Sequence, residues 1–341
     1  MPSNTAAWLP EKQARPFQIK PAPIGAPSQG EILIKNHVIG INPIDGKNQQ
    51  YAIHNLTYPV VMGGDVAGEV VSVGPGVTAF APGDRVIGTA PWLAHGRNDM
   101  GGFQEYTVLE AVLSCRIPAA LSYEAAAVVP LCFSTAAAGL FQDEYLGLRL
   151  PAEPAREPVK KTLLVWGAAS CVGCNAVQLA AAAGYEVVAT ASPRNFDMVR
   201  GLGAARVLDY RSPSAVADAA AAFEGKILAG VLDCIGGPAP GGLILEVLAR
   251  IEGGSKFVAT VTPGFPETPE GVTSKHIFSL AIRSNAVGPA VWSDFLPRAL
   301  ASGSFVPAPE PFVVGKGLES VQAGVDYLAK GVSAQKVIVT L

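Results

Sequence analysis

Downstream of residue 161 the chain repeats one pattern: a short aliphatic and β-branched run, a turn, then a segment with helical spacing. The runs are TLLVW (162–166), EVVATA (186–191), RVLDY (206–210), GVLDCIG (230–236) and KFVATV (256–261). Between them stand VGCNAVQLAAAAG (172–184), RNFDMVRGLG (194–203), PSAVADAAAAF (213–223) and GGLILEVLARI (241–251). Strands separated by helices join through right-handed crossovers, so this half is expected to form a doubly wound parallel-sheet domain of the Rossmann type.

The first 120 residues read differently. EILIKNHVIGIN (31–42), VAGEVVSVG (66–74) and DRVIG (84–88) are β-branched runs, and glycines at 63, 64, 68, 74, 76, 83 and 88 break the stretch into short pieces. Strands and turns this closely spaced imply a compact, mostly antiparallel barrel-like domain. A Pro-rich charged link, PAEPAREPVKK (151–161), is expected as a surface loop. The end of the chain closes with a helix and a strand that is expected to return to the first domain. The expected boundaries are 1–127 with 285–341 for the barrel-like domain and 128–284 for the nucleotide-binding domain.

The first strand-to-helix junction, WGAASCVGCNAVQLA (166–180), admits two readings. Gly167 follows the strand, Gly173 opens the helix, and Ala169, Ser170, Cys171 and Val172 between them are small or modest in size. A dinucleotide pyrophosphate needs such a turn, with backbone N–H groups presented at a helix N-terminus. Ala169 stands where the strict glycine fingerprint has its middle glycine. The alternative is a redox or metal pair at Cys171 and Cys174. It has no second C-x-x-C and no closely spaced histidine pair among His37, His54, His95 and His276 to support it. No metal is expected.

The end of the second strand bears on the nucleotide. An NAD site places an acid there to take the ribose 2′-hydroxyl. Here ATASPRN (189–195) offers Ser192 and Arg194, and the third strand ends in Tyr210 and Arg211. A hydroxyl and a guanidinium suit a 2′-phosphate and favour NADPH, against the alternative of a plain solvated strand end. In the barrel-like half, GINPIDGK (40–47) crowds Asn42, Asp45 and Lys47 where a strand ends. By itself this also reads as a polar turn.

Composition excludes several classes. Net charge is −3 and no Lys/Arg run appears, so nucleic acid is not an expected partner. The opening MPSNTAAWLPEK lacks a basic stretch followed by an apolar one, and the apolar run 125–141 is interrupted by Pro130, Ser134, Thr135 and Gly139. A buried helix, no membrane and a cytoplasmic location are expected. Five irregularly spaced cysteines make no disulfide framework.

GINPIDGK, GGDVAGEVVSVGPGV, GDRVIG, GGFQEYTV and VWGAASCVGCNAVQLA occur in an order that resembles the medium-chain dehydrogenase/reductases across essentially the whole chain. The likeness is to the zinc-free quinone and enoyl reductases, and within them to fungal trans-acting enoyl reductases of polyketide pathways. It implies a GroES-like catalytic domain beside the Rossmann domain. It also implies that Asn42 stands where zinc enzymes carry a ligating cysteine, and Gly63-Gly64-Asp65 where they carry G-H-E. The cysteine-rich loop of their structural zinc has no counterpart around residues 91–102.

By that resemblance Lys47 falls where relatives carry a proton-relay histidine or a lysine on the nicotinamide ribose, and Thr135 where a threonine faces the nicotinamide. Asn42, Asp45, Lys47, Thr135, Asn195, Ile235, Val258, Thr260, Val332 and Ser333 join the junction residues in the expected cofactor set. The implied reaction is hydride transfer from NADPH to the β-carbon of an α,β-unsaturated carbonyl or enoyl thioester, with Lys47 or Tyr51 supplying a proton. The expected partner is a small hydrophobic unsaturated substrate, free or tethered to a synthase, and the chain a monomer or homodimer. Two alternatives remain: an NADPH quinone reductase and a non-catalytic NADPH-binding relative.

Overall fold

The computed structural model describes residues 3–341. The chain forms two compact units, Met1–Leu131 with Pro307–Leu341, and Cys132–Val306.

In the first unit a seven-stranded sheet runs in the order Glu310–Lys316, Gln335–Thr340, Glu31–Gly40, Asp65–Val73, Arg85–Thr89, Ser114–Arg116, with Tyr106–Glu110 also paired to Glu31–Gly40. All its pairs are antiparallel except that between Glu310–Lys316 and Gln335–Thr340. The terminal strand does return, pairing Ile338 with Gly40 and Val339 with Ile39. Register then decides what meets at this end of the sheet. Gly40 lies opposite both Asp65 and Ile338, so the side chains of Asp65, Lys336 and Asn42 are drawn to one place. Gly40 has to be glycine there: a Cβ would lie 2.8 Å from Asp65 Cβ and 3.1 Å from Lys336 Cε.

A difference from the sequence reading begins at residue 43. GINPIDGK does not end in a turn but enters a helix, Pro43–Tyr51. Proline at the first helical position lacks an N–H that would have gone unused, and its fixed φ suits the helix. Asp45 closes the first turn by accepting the Asn42 N–H at 2.8 Å. The helix has few apolar residues to announce it, since its buried members are Asp45, Asn48 and Gln49.

The second unit carries a six-stranded, wholly parallel sheet. Its order is Arg206–Asp209, Glu186–Ala191, Thr162–Trp166, Leu228–Asp233, Phe257–Thr260, Thr273–His276. In sequence terms this is 3-2-1-4-5-6, the doubly wound arrangement whose ligand crevice opens where the order reverses, beside the first strand. The sixth strand was not expected. TSKH is polar and largely exposed at the sheet edge, so no hydrophobic alternation marks it.

The second unit also runs on to Val306 rather than stopping at residue 284. The reason is an aromatic cluster. A π-helical turn at Pro289–Phe295, the helix Leu296–Ser302 and the segment after it deliver Trp292, Phe295 and Phe305, all buried, and Trp292 and Phe305 pack edge-on against Phe133. The Trp292 Nε1–H donates to Ser134 Oγ at 3.1 Å. The apolar stretch Tyr123–Phe141 is long and apolar enough to cross a membrane, but most of it is buried inside the fold, as a core helix requires.

Candidate active site

The phosphate-binding turn forms at the switch point. Gly167 holds φ +82°, its N–H donates to Thr190 Oγ1 at 2.9 Å, and a Cβ on it would strike Ile235 at 2.4 Å. Ser170 caps the helix Cys171–Ala182 by accepting the Gly173 N–H at 3.1 Å. Cys171 and Val172 open this twelve-residue helix, at its positive end, directly after the turn. Gly173 sits so close to the turn that a Cβ would lie 2.4 Å from Gly167 O and 2.5 Å from Ala168 Cα. This is a cradle that a side chain would fill, and it fits a pyrophosphate.

Across the reversal, Asp233 builds the opposite wall. Its Oδ1 accepts the N–H groups of Ile235 (3.1 Å) and Gly236 (3.0 Å), and its Oδ2 accepts the Thr260 hydroxyl at 3.0 Å. Burial raises its pKa while these donors oppose the rise. Gly236 and Gly237 both take positive φ, which lets the loop turn sharply away from the strand. Ile235 is left 48% exposed over Gly167.

At the end of the second strand Ser192 Oγ lies 3.5 Å from Tyr210 Oη, and the Arg211 guanidinium stands 5.1 Å from the Tyr210 ring centre. Arg194 is exposed in a short 3-10 turn, Pro193–Asn195. This corner therefore gathers two hydroxyls and two guanidinium-bearing residues, with no acid at the Ser192 position.

In the first unit, Asn42, Asp65 and Lys336 form a closed triangle. Lys336 Nζ is 2.5 Å from Asp65 Oδ2 and donates to Asn42 Oδ1 at 2.6 Å, while Asn42 Nδ2 donates to Asp65 Oδ2 at 2.7 Å. Asp65 Oδ1 accepts the Leu131 N–H at 2.5 Å. Asp45 lies beside the triangle. Burial pushes its carboxyl up to about 7; the Asn42 N–H pulls it down, Asp65 adds to the rise, and Lys336 and the Gly63 N–H lower it. Two residues further along the same helix, Lys47 is half-buried and has no hydrogen-bonding or ionic partner among the described residues, and Tyr51, at the helix end, is 62% exposed.

In the second unit the structure thus brings Gly167, Ala169, Ser170, Ser192, Tyr210, Ile235 and Thr260 to strand ends or the turns after them, and Cys171, Val172 and Gly173 to the first turn of the helix that follows. Thr135 lies in the helix Pro130–Phe141, almost fully buried. Val258 does not reach a strand end; it is enclosed in the same apolar core cluster as Leu164 and Val231. Val332 and Ser333 occupy the bend before the terminal strand of the first unit.

Cys171 is half-buried at the first helical position and Cys174 is wholly buried, its thiol pushed up to about 12 by burial and by neighbouring Cys132. Sequence reasoning missed Asp233, Lys336 and the role of Asp65. For Lys336 there was a signal: a lone lysine opening the buried run KVIVT.

Comparison with known proteins agrees with this architecture. Residues 28–119 match the alcohol dehydrogenase GroES-like domain and residues 171–295 match the zinc-binding dehydrogenase family. The chain is 50% identical to the zinc-binding alcohol dehydrogenase domain-containing protein cipB of Emericella nidulans, over 99% of this chain and 98% of that one. It belongs to the medium-chain dehydrogenase/reductase family. Within that family it is also 41% identical to the trans-enoyl reductase himH of Aspergillus japonicus, covering 99% and 97% of the two chains. The crystal structure of CurK enoyl reductase superposes with a TM-score of 0.76 at 22% identity, with 99% of each chain covered. This medium-chain dehydrogenase/reductase is accordingly an oxidoreductase with a nicotinamide-binding Rossmann domain and a GroES-like domain.

Proposed function

We propose that the chain is an NADPH-dependent reductase of the carbon–carbon double bond in α,β-unsaturated carbonyl compounds or enoyl thioesters. The observation that carries the cofactor is the corner made by Ser192, Tyr210, Arg194 and Arg211. Hydroxyl and guanidinium donors suit a 2′-phosphate, and the position after the second strand holds Ser192 rather than an acid. The likeness to a trans-enoyl reductase over nearly the full length of both chains supports the reaction. On the same ground we place the protein in fungal secondary metabolism, in the cytoplasm, acting on a substrate carried by a separate synthase.

A reduced nicotinamide dinucleotide supplies the hydride when bound. The chain's own residues do the rest. The Gly167–Gly173 cradle and the capped helix would hold the pyrophosphate, and the Asp233-braced loop with Ile235 would wall the opposite side. Reduction at the β-carbon develops negative charge on the carbonyl oxygen, which hydrogen-bond donors must meet. Lys47, on a helix anchored at Asn42, is the donor that this role assigns. Tyr51 is too exposed to hold a proton in a dry site, so Lys47 is also the group that delivers the proton toward the α-carbon, directly or through water.

The test compares NADPH with NADH on purified protein, each with an enoyl thioester, an enone and a simple quinone. NADPH oxidation yielding the saturated thioester or ketone is expected. Reduction of the carbonyl with the alkene left intact, or turnover of the quinone alone, would refute the proposal.

A further inference from the structure

The zinc-binding dehydrogenase match implies a metal ion, and the donors of the first unit do not fit one. Asn42 offers an amide where zinc-dependent relatives carry a thiolate. Gly64 offers no side chain at all, and so no imidazole to ligate a metal. Among the described residues, no three His, Cys, Asp or Glu side chains gather in a way that could hold a metal. Asp65 remains, but its Oδ2 already faces an ammonium at 2.5 Å. A divalent cation on the same oxygen would meet that charge at contact distance.

We propose that this site takes no metal ion and that Lys336, bonded to Asp65 and Asn42, acts as a positioning residue that fixes the helix bearing Lys47. The catalytic part of this inference rests on the reading given under Proposed function; the exclusion of metal does not.

The geometry supports a fixed hub. Lys336 and Asp65 side chains are 2% and 0% exposed, and Asn42 is bonded to both. Asn42 immediately precedes the helix Pro43–Tyr51 and is bonded again, through its own N–H, to Asp45 in the first turn. The position of Lys336 Nζ therefore sets where that helix begins and which way Lys47 points. Gly40 completes the design, because its missing side chain is what lets Asp65 and Lys336 lie against the strand. A buried ion pair is a poor source of net stability, since desolvation offsets the attraction. Its bonds to a helix start are a better reason for its presence.

The experiment measures zinc and turnover on the full chain. Protein incubated with zinc and then dialysed is analysed for bound metal, and far less than one zinc per chain is expected. Lys336→Met alone would strand the buried Asp65 charge, so the double variant Lys336→Met with Asp65→Asn, neutral at both positions, is used beside Lys336→Arg. For each, thermal unfolding and NADPH affinity are read with kcat and KM, on whichever acceptor the wild type reduces.

The folded variants are expected to bind NADPH as the wild type does while kcat falls on the order of 10–100-fold, the cost of a catalytic group displaced by about 1 Å. Stoichiometric zinc in the wild type, or wild-type kcat in either folded variant, would overturn the inference. A wild type that turns over no acceptor would refute the proposed reaction instead, and the zinc measurement would then decide this inference by itself.

Discussion

Replacing Gly173 by alanine asks whether the nucleotide turn works by close backbone approach. The added Cβ would sit 2.4 Å from Gly167 O, 2.5 Å from Ala168 Cα and 2.7 Å from Ala168 C, all of them backbone atoms. Comfortable non-bonded contact needs about 3.5 Å, so the helix and the turn must separate by roughly 1 Å. Overpacking of this kind costs about 1–3 kcal/mol, and alanine's better helix propensity returns about 1 kcal/mol. Stability should therefore fall by no more than about 2 kcal/mol. Binding should suffer more, because the N–H groups at the helix start lose their alignment with the turn. NADPH affinity, measured by fluorescence titration, is expected to drop at least about tenfold. Gly242→Ala is the matched control: it is helical, with nothing within 4 Å of the new Cβ. It should stabilise by roughly 0.5–1 kcal/mol and leave NADPH affinity unchanged. A Gly173→Ala protein that binds NADPH as tightly as wild type would refute close approach as the reason for this glycine.

Cys171→Ser combined with Cys174→Ala is expected to retain NADPH turnover, since burial keeps the Cys174 thiol protonated and the turn requires compactness rather than sulfur; loss of turnover with intact NADPH affinity would make the thiols chemical. Asp45 gives a pH signature. Its carboxyl is raised from 3.8 to about 7 in the folded chain, so between these values the folded state holds a proton that the unfolded state has lost, and stability declines as pH rises from about 4 to 7. Asp45→Asn should flatten that decline, which is worth on the order of 4 kcal/mol, in unfolding curves taken across this range; an unchanged slope would contradict the raised pKa. Trp292→Phe removes one buried hydrogen bond and should cost about 1 kcal/mol, read as a lowered Tm, and a Tm equal to wild type would show that the bond to Ser134 is idle.

The parallel sheet was legible because its strands are buried runs, and because each helix carries small apolar residues at regular spacing. TLLVW and EVVATA sit where their composition places them, as does the cradle between Gly167 and Gly173. What stayed hidden depends on contacts between residues distant in the sequence. The helix Pro43–Tyr51 buries polar side chains and so lacks an apolar face. The strand Thr273–His276 is held by its neighbour's backbone. The triangle of Asn42, Asp65 and Lys336 joins positions up to 294 residues apart and exists through the register of three strands. The Asp233 brace is similar: an acid within a buried apolar strand gives no sign that its partners are backbone N–H groups two and three residues ahead.

The direct test of the central claim follows the hydride. Turnover with NADPH deuterated at the transferred position, on an α,β-unsaturated thioester or ketone, is analysed by NMR of the product. Deuterium at the β-carbon of a saturated product is the predicted result. Deuterium on the carbonyl carbon, with the double bond retained, would contradict it.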